Sequence, residues 1–469
     1  MKVALVHDYL NQIGGGERVL DELIAMFPEA TVYTLMYDQQ KTQERYKNKK
    51  IKTSFLDFQF ARNHHRLFIP IMPFAARSIR IPDDVDLIIS DSAGFGKGIR
   101  YKGSGGESRF WPFARSFWLR LVEKIYQTFL VLLNFFNLAS PQNIERMTQK
   151  RSPRQTPGKT TKHLCYVHTP LRYAWETNSY FPTIPFFYHG RKMVLLKNLI
   201  VRFFGALAFW FVRRFDYWAA QQPDLLLANS QYIAGKIKKY YGRDSTVVYP
   251  PVDTKKFYFD STIVTNYSLP TTHYYLAVGR LLHYKRFDLL IDAFTRLGLP
   301  LKIIGAGPEY GALQNRLKLI TTTYSLQPRI EMPGFAKSDA ELRELYNHAR
   351  GFIMANEEDF GLVTAEAQCC GVPVIAYGKG GSLEIVVDTL SKSRTRMDPF
   401  VISEYSSGIH DSVPTGIFFA DQTPDSLIAA LTEFDSMQFD RAAISQHAQK
   451  FSVENFRKGI LGVVDRLVG

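Results

Sequence analysis

The chain has 469 residues, 46% apolar and 22% charged, with 58 Lys+Arg against 44 Asp+Glu and a formal net charge of +14. That length and apolar content exclude a disordered chain and suffice for two or three domains with sizeable cores. Three cysteines, Cys165, Cys369 and Cys370, are too few for a disulfide framework, and no Cys/His spacing reads as a zinc site; a reducing, cytoplasmic setting is expected.

In chain order, KVALVHDYL is a buried-strand pattern without the long apolar run of a signal peptide. A Gly-rich turn at Gly14–Gly16 follows, then a helical pattern in ERVLDELIAMF and a strand in ATVYTLMYD. DLIISDSA, HLCYVH and DLLLANS continue the series. VVYPPVDTKKF contains Pro250 and Pro251, which forbid regular structure and mark a linker. A second series runs from residue 273: strands in HYYLAVGRL, LKIIGAGP, ARGFIMAN and GVPVIAYGKGG, with helices in FDLLIDAFTRL and LVTAEAQCC. Apolar strands alternating with helices predict parallel sheets covered on both faces. The expected architecture is α/β, with two doubly wound domains facing a central cleft. The expected domains are 1–250, 251–450 and a last helix over 451–469 able to pack on either.

The positive charge is local. Residues 97–162 hold 13 Lys/Arg against 3 Asp/Glu, and 189–214 hold 6 with no acid, so the remainder is close to neutral. The insert at about 103–162 carries an apolar stripe of Trp118, Leu121, Val122, Ile125, Phe129, Leu132, Leu133 and Phe136 at helical spacing, rimmed by Arg109, Arg115, Arg120 and Lys124. Such a composition suits a helix lying in a membrane interface; the alternative is that both basic segments are amphipathic helices packed on the N-terminal domain or on each other. Residues 193–212 are long enough to span a bilayer, but Lys197 and Arg202 make spanning costly. Nucleic acid is disfavoured, because no recognised module interleaves the basic residues with exposed aromatics.

Several constellations can carry chemistry. Gly14–Gly16 lack the GxGxxG spacing and an acid about 20 residues on, so a nicotinamide dinucleotide is unsupported, though such a turn still admits an anion. Arg280 and Lys285 lie just past a strand's carboxyl end, where two cations can hold a diphosphate; surface cations look the same in sequence. Glu358 and Glu366 are eight residues apart, the first on a loop and the second in the helix that Gly361 opens. Eight helical residues turn through about 800°, so both carboxylates can face one side and bind vicinal hydroxyls. Gly380 and Gly381 offer close backbone approach. A solvated charge run at 357–359 is the plainer alternative.

GRLLHYKRFD, IIGAGPE, PGFAKSDAELRELY and EDFGLVTAEAQCCGVPVIAYGKGGSLEIV together closely resemble retaining glycosyltransferases of family 4, which have the GT-B fold of two Rossmann-like domains. EDFGLVTAE matches the family's two-glutamate motif. HDYLNQIGGGERVLDEL, CYVHTPLRYAWE and LLLANSQYIAGKIKKYYGRDSTVVYPPVD look most like the mannosyltransferase-type subgroup of bacterial surface-polysaccharide synthesis. The resemblance spans the chain except about 103–162, part of 180–212 and about 389–412.

The resemblance implies a hexosyltransferase drawing on a nucleotide diphosphate sugar, GDP-mannose or a UDP-sugar, and no other cofactor. It implies Arg280 and Lys285 on the diphosphate, Glu366 on the ribose and Glu358 beside the donor sugar. It further implies Gly380, Gly381 and Ser382 in a loop reaching sugar and phosphate, with Gly15, Gly16 and His168 at the N-terminal side of the donor. Gly14 stands where related sequences often differ. The two cations would stabilise the leaving diphosphate without a metal, and DDVD at 83–86 reads as a turn. A lipid-linked or glycan acceptor and an anionic, cytoplasmic membrane face are the expected partners. An epimerase or phosphorylase of the same fold is the enzyme alternative.

Overall fold

In a computed structural model the described residues are 1–102, 161–176, 208–264, 274–324, 329–388 and 413–469. They divide into two compact units. The first comprises Met1–Leu227, Lys236–Thr246 and Val463–Gly469, the second Ala228–Gly235 and Val247–Gly462.

The first unit carries strands β1 (Val3–His7), β2 (Thr31–Thr34), β3 (Ile51–Thr53), β4 (Leu87–Ser92), β5 (Lys162–Val167), β6 (Leu225–Ala228) and β7 (Thr246–Val247), in the order β3-β2-β1-β4-β5-β6-β7. The pairs β1–β2, β2–β3, β1–β4 and β4–β5 are all parallel. Ala4, Leu5 and Val6 are inaccessible and β4 is buried along its length, as the continuous apolar runs require of central parallel strands. The helix Gly15–Met26 turns Val19, Leu20, Leu23 and Ile24 inward. Each such burial is worth about 1.5–3 kcal/mol.

Residues 208–220 are helical. Phe211, Val212, Phe215 and Ala219 enter the core of the first unit, Phe211 stacking on Phe74 at 5.6 Å, while Trp210 stays 51% exposed. The described end of the second basic segment is therefore a packed helix. The rest of that segment, and the Trp118–Phe136 stripe, lie outside the described residues. No described helix is long and apolar enough to cross a membrane.

The second unit holds β8 (Tyr274–Val278), β9 (Leu301–Ile304), β10 (Ile330–Gly334), β11 (Ala349–Met354), β12 (Val374–Tyr377) and β13 (Gly416–Phe419), ordered β10-β9-β8-β11-β12-β13 and parallel throughout. Its helices start where side chains can serve the orphan amides. Ser338 Oγ accepts from Glu341 N at 3.1 Å before Asp339–His348, and Thr423 Oγ1 from Ser426 N at 3.3 Å before Pro424–Asp435. Pro250 and Pro251 lie in a stretch without helix or strand; they are buried, and Val252 beside them bridges to Ser452. The helix Val453–Val468 passes from the second unit to the first at Val463.

Candidate active site

Strand order in the second sheet reverses between β8 and β11, the place where open α/β sheets bind ligands beyond the strands' carboxyl ends. Arg280 sits exposed two residues past β8, and Lys285 follows in the single turn His283–Lys285. Glu358 lies on the loop after β11. Its carboxylate is ion-paired with Lys285 and accepts a hydrogen bond from Asn356 Nδ2 at 2.9 Å. Lys285 and Glu358 are thus brought together across the reversal, each side chain about one-seventh exposed, at 15% and 14%. A charge pair set at such a point is not a solvated charge run.

Gly361 caps the helix Leu362–Cys369 at φ 104°, a left-handed conformation that favours glycine. Glu366 lies inside this helix and is fully buried, its Oε2 accepting from the Tyr346 hydroxyl at 3.3 Å. The helix that Gly361 opens is as the spacing predicted. The two glutamates nonetheless have different partners in the structure, Lys285 for one and Tyr346 for the other.

Gly380 and Gly381 follow β12. Gly380 has φ 72° and bridges to Glu358, and Gly381 N donates to Glu358 O at 2.8 Å. A Cβ on Gly381 would stand 2.4 Å from Phe360 O. The close approach read from these glycines is made here to the 358–360 loop, and it holds the backbone of Glu358. Ser382 opens the short helix Ser382–Ile385; it is fully buried, and its hydroxyl has no hydrogen-bond partner among the described residues. An unmet buried hydroxyl costs about 1–3 kcal/mol and invites a ligand oxygen. Glu384, two residues on, is a group that spacing did not reveal. It accepts from Gln231 N at 2.7 Å and Tyr232 N at 2.9 Å, capping the helix Gln231–Tyr241.

The first unit gathers a separate cluster at the carboxyl ends of β1, β4 and β5. His7 Nδ1 meets Asp91 Oδ2 at 2.9 Å, and His168 Nε2 meets Asp91 Oδ1. Glu17 Oε1 lies 3.7 Å from His7 Nε2. Burial opposes charge on both imidazoles, yet Asp91 and, for His7, Glu17 outweigh it, raising His7 well above its ordinary value and His168 above its own. Burial likewise pushes Asp91 up, and the two histidines bring it below the usual carboxylate range. Gly15 begins the helix Gly15–Met26, and Gly16 lies against both rings, with a Cβ there 3.5 Å from His168 Nε2 and from His7 Cε1. His168, Gly15 and Gly16 are therefore neighbours, whereas His7, Asp91 and Glu17 went unrecognised as a site in sequence. Asp83 and Asp84 are in a turn, paired with Arg80 at 3.5 Å and with Lys2 respectively. Among the described residues no group of three or more His, Cys, Asp or Glu is arranged for a metal ion.

Residues 266–451 match the family model for glycosyl transferases group 1. An uncharacterised glycosyltransferase of Methanocaldococcus jannaschii is 26% identical over 200 residues, 43% of this chain and 50% of that one. The chain spans about half the length of the curated relatives it matches. Among solved structures, Anabaena HepE in complex with UDP superposes with a TM-score of 0.58 at 17% identity, covering 100% of both chains. Sucrose-phosphate synthase from Thermosynechococcus elongatus gives 0.59 at 13% identity, covering 100% of this chain and 99% of that one. The fold is two parallel-sheet Rossmann-like units of the GT-B class. The family match and the names of the relatives support a glycosyltransferase of group 1.

Proposed function

We propose that the chain is a retaining glycosyltransferase of family 4 that moves a hexosyl unit, mannosyl in the first instance, from a nucleotide diphosphate sugar to a lipid-linked or polysaccharide acceptor. The observation that carries this reading is the Lys285–Glu358 pair set across the strand-order reversal, inside the segment matching group 1 glycosyl transferases.

In the proposed mechanism Arg280 and Lys285 neutralise charge gathering on the departing diphosphate, a role that needs no metal. Glu366 holds the ribose, Glu358 lies beside the donor sugar, and Ser382 gives its buried hydroxyl to a donor oxygen. Gly15, Gly16 and His168 are proposed to serve the donor as well. The C1–oxygen bond to the diphosphate breaks as the acceptor oxygen bonds to C1 from the same face. The acceptor's proton passes to the leaving phosphate oxygen. GDP-mannose and UDP-sugars are the donors to test first.

Nucleotide release from a panel of nucleotide sugars, with and without acceptor extracts, is the deciding assay. Glu366→Ala and Arg280→Ala are each expected to cut turnover of the active donor. Unimpaired turnover in both would sink the site assignment. The basic insert is proposed to dock on an anionic membrane at its cytoplasmic face, supported by 10 Lys/Arg in residues 103–162 and the aromatic residues among them. Liposome co-sedimentation of a variant lacking 104–160 should show weakened binding, and undiminished binding would defeat that role.

A further inference from the structure

We propose that Asp91 is a positioning residue for His168, binding it and His7 through the two oxygens of one carboxylate so that the three groups act as a single proton-holding unit. This rests on the glycosyltransferase reading, in which His168 serves the donor.

The geometry comes from strand register. Parallel pairing sets His7 opposite Asp91, and the β4–β5 ladder carries on until His168 N donates to Ser92 O at 3.1 Å. Three strand ends thereby deliver three ionisable side chains to one spot. Asp91 is inaccessible, and a buried carboxylate is tolerated only with its lone pairs engaged, here by His7 Nδ1 and His168 Nε2. Exposure is graded across the cluster. The side chains of Asp91, Glu17 and His7 are 0%, 4% and 7% exposed, against 16% for His168. Of these four, His168 is the one through which the cluster meets the surface. Purely structural histidines have no need of that gradient.

With Nε2 engaged by Asp91, the remaining ring nitrogen of His168 is Nδ1. The neutral ring accepts there, and the charged ring donates to a sugar or phosphate oxygen. The groups facing the rings act in different senses. Asp91 on β4 and Asp8 just past β1 favour a charged His168, and Glu17 on the helix favours a charged His7. His7 opposes charge on His168, as does the amino end of the helix that reaches them at Gly16. Tyr166 lies edge-on to His168 at 5.3 Å and stays un-ionised.

The test pairs histidine NMR titration with pH profiles of nucleotide release for wild type, Asp91→Asn and His7→Gln. Asp91→Asn should move the His168 midpoint down and cut kcat by roughly a hundredfold, with KM for the nucleotide sugar little changed. His7→Gln removes a neighbouring positive charge and should move the His168 midpoint up. A His168 midpoint unmoved in both variants overturns the proposal, as does an Asp91→Asn enzyme with the wild-type pH profile. If Asp91→Asn does not fold, the upward shift in His7→Gln decides alone. Wild-type protein that releases nucleotide from no nucleotide sugar would instead remove the functional reading, while the NMR titration would still decide the pairing.

Discussion

The Lys285 ammonium rests on the Glu358 carboxylate across the point where the second sheet reverses its strand order. On the proposed function, an incoming diphosphate has to draw Lys285 from that carboxylate. Glu358→Gln is therefore expected to tighten binding of the bare nucleoside diphosphate by about threefold to tenfold, of the order of 1 kcal/mol, while slowing sugar transfer. Lys285→Ala should weaken the same binding by about tenfold to a hundredfold, the worth of a hydrogen bond to a charged group. Isothermal titration with UDP and GDP measures both. Equal affinity in all three proteins would count against a phosphate role for Lys285.

Gly381→Ala places a methyl 2.4 Å from Phe360 O and 2.5 Å from Phe360 Cα, both backbone atoms unable to yield cheaply. A loss of about 1–3 kcal/mol is expected, together with loss of nucleotide-sugar turnover as the Glu358 backbone shifts. Gly235, exposed within the helix Gln231–Tyr241, has nothing within 4 Å of its Cβ direction. Gly235→Ala should stabilise by up to about 1 kcal/mol. Urea denaturation of the two variants, read side by side, separates steric conflict from a general intolerance of alanine.

Lys97 and Asp216 form an ion pair of 2.6 Å with neither side chain accessible. Asp216 also accepts from Trp175 Nε1 and Tyr241 OH, each at 2.7 Å, and Lys97 donates to Gly94 O. Lys97→Met leaves a buried carboxylate short of its cation and should cost about 3–5 kcal/mol. Lys97→Met with Asp216→Asn should recover part of that loss, since neither charge then remains. Chemical denaturation of the single and double variants checks the order.

Stability should fall on both sides of neutrality. Burial holds His163 neutral, lowering its pKa to about 3, and lowers His447 to about 4. Below the ordinary histidine value the unfolded chain takes up protons that these native rings refuse. Their contribution is complete above about pH 6.5 and declines toward pH 3, by about 1.4 kcal/mol per pH unit for His163. His7 and His168 have raised values, so their contribution is complete below the ordinary value and is lost as pH climbs through the raised ones. Thermal melts across pH 4–9 should trace a dome. His163→Gln should flatten its acid limb, and Asp91→Asn its alkaline limb.

Much of the fold was open to reading because it is written locally. The helix expected over FDLLIDAFTRL spans Phe287–Leu297, and Gly361 caps the helix Leu362–Cys369 as its place before LVTAEAQCC suggested. Asp91 was missed for a different reason. Inside DLIISDSA it looks like one polar residue in a buried strand, and its partners stand 84 and 77 positions away. Parallel register makes that pairing, and register is a property of the assembled sheet. A usable signal did exist, in ionisable residues at the ends of three apolar strands: His7, Asp91 and His168. Gly381 shows the converse. Its type drew notice in sequence, but only packing reveals that the space beside its Cα is taken by the Phe360 backbone.

β4 and β5 lie side by side, yet residues 93–161 separate them along the chain. The entropy of joining two paired strands through an intervening flexible segment grows only with the logarithm of its length, and each doubling costs about 0.6 kcal/mol. A sheet joined in this way tolerates tens of residues gained or shed at that one crossing. Evolution can then experiment there almost without penalty, trading one inserted segment for another. His7, Asp91, Lys285 and Glu358 would keep their places while that crossing changed.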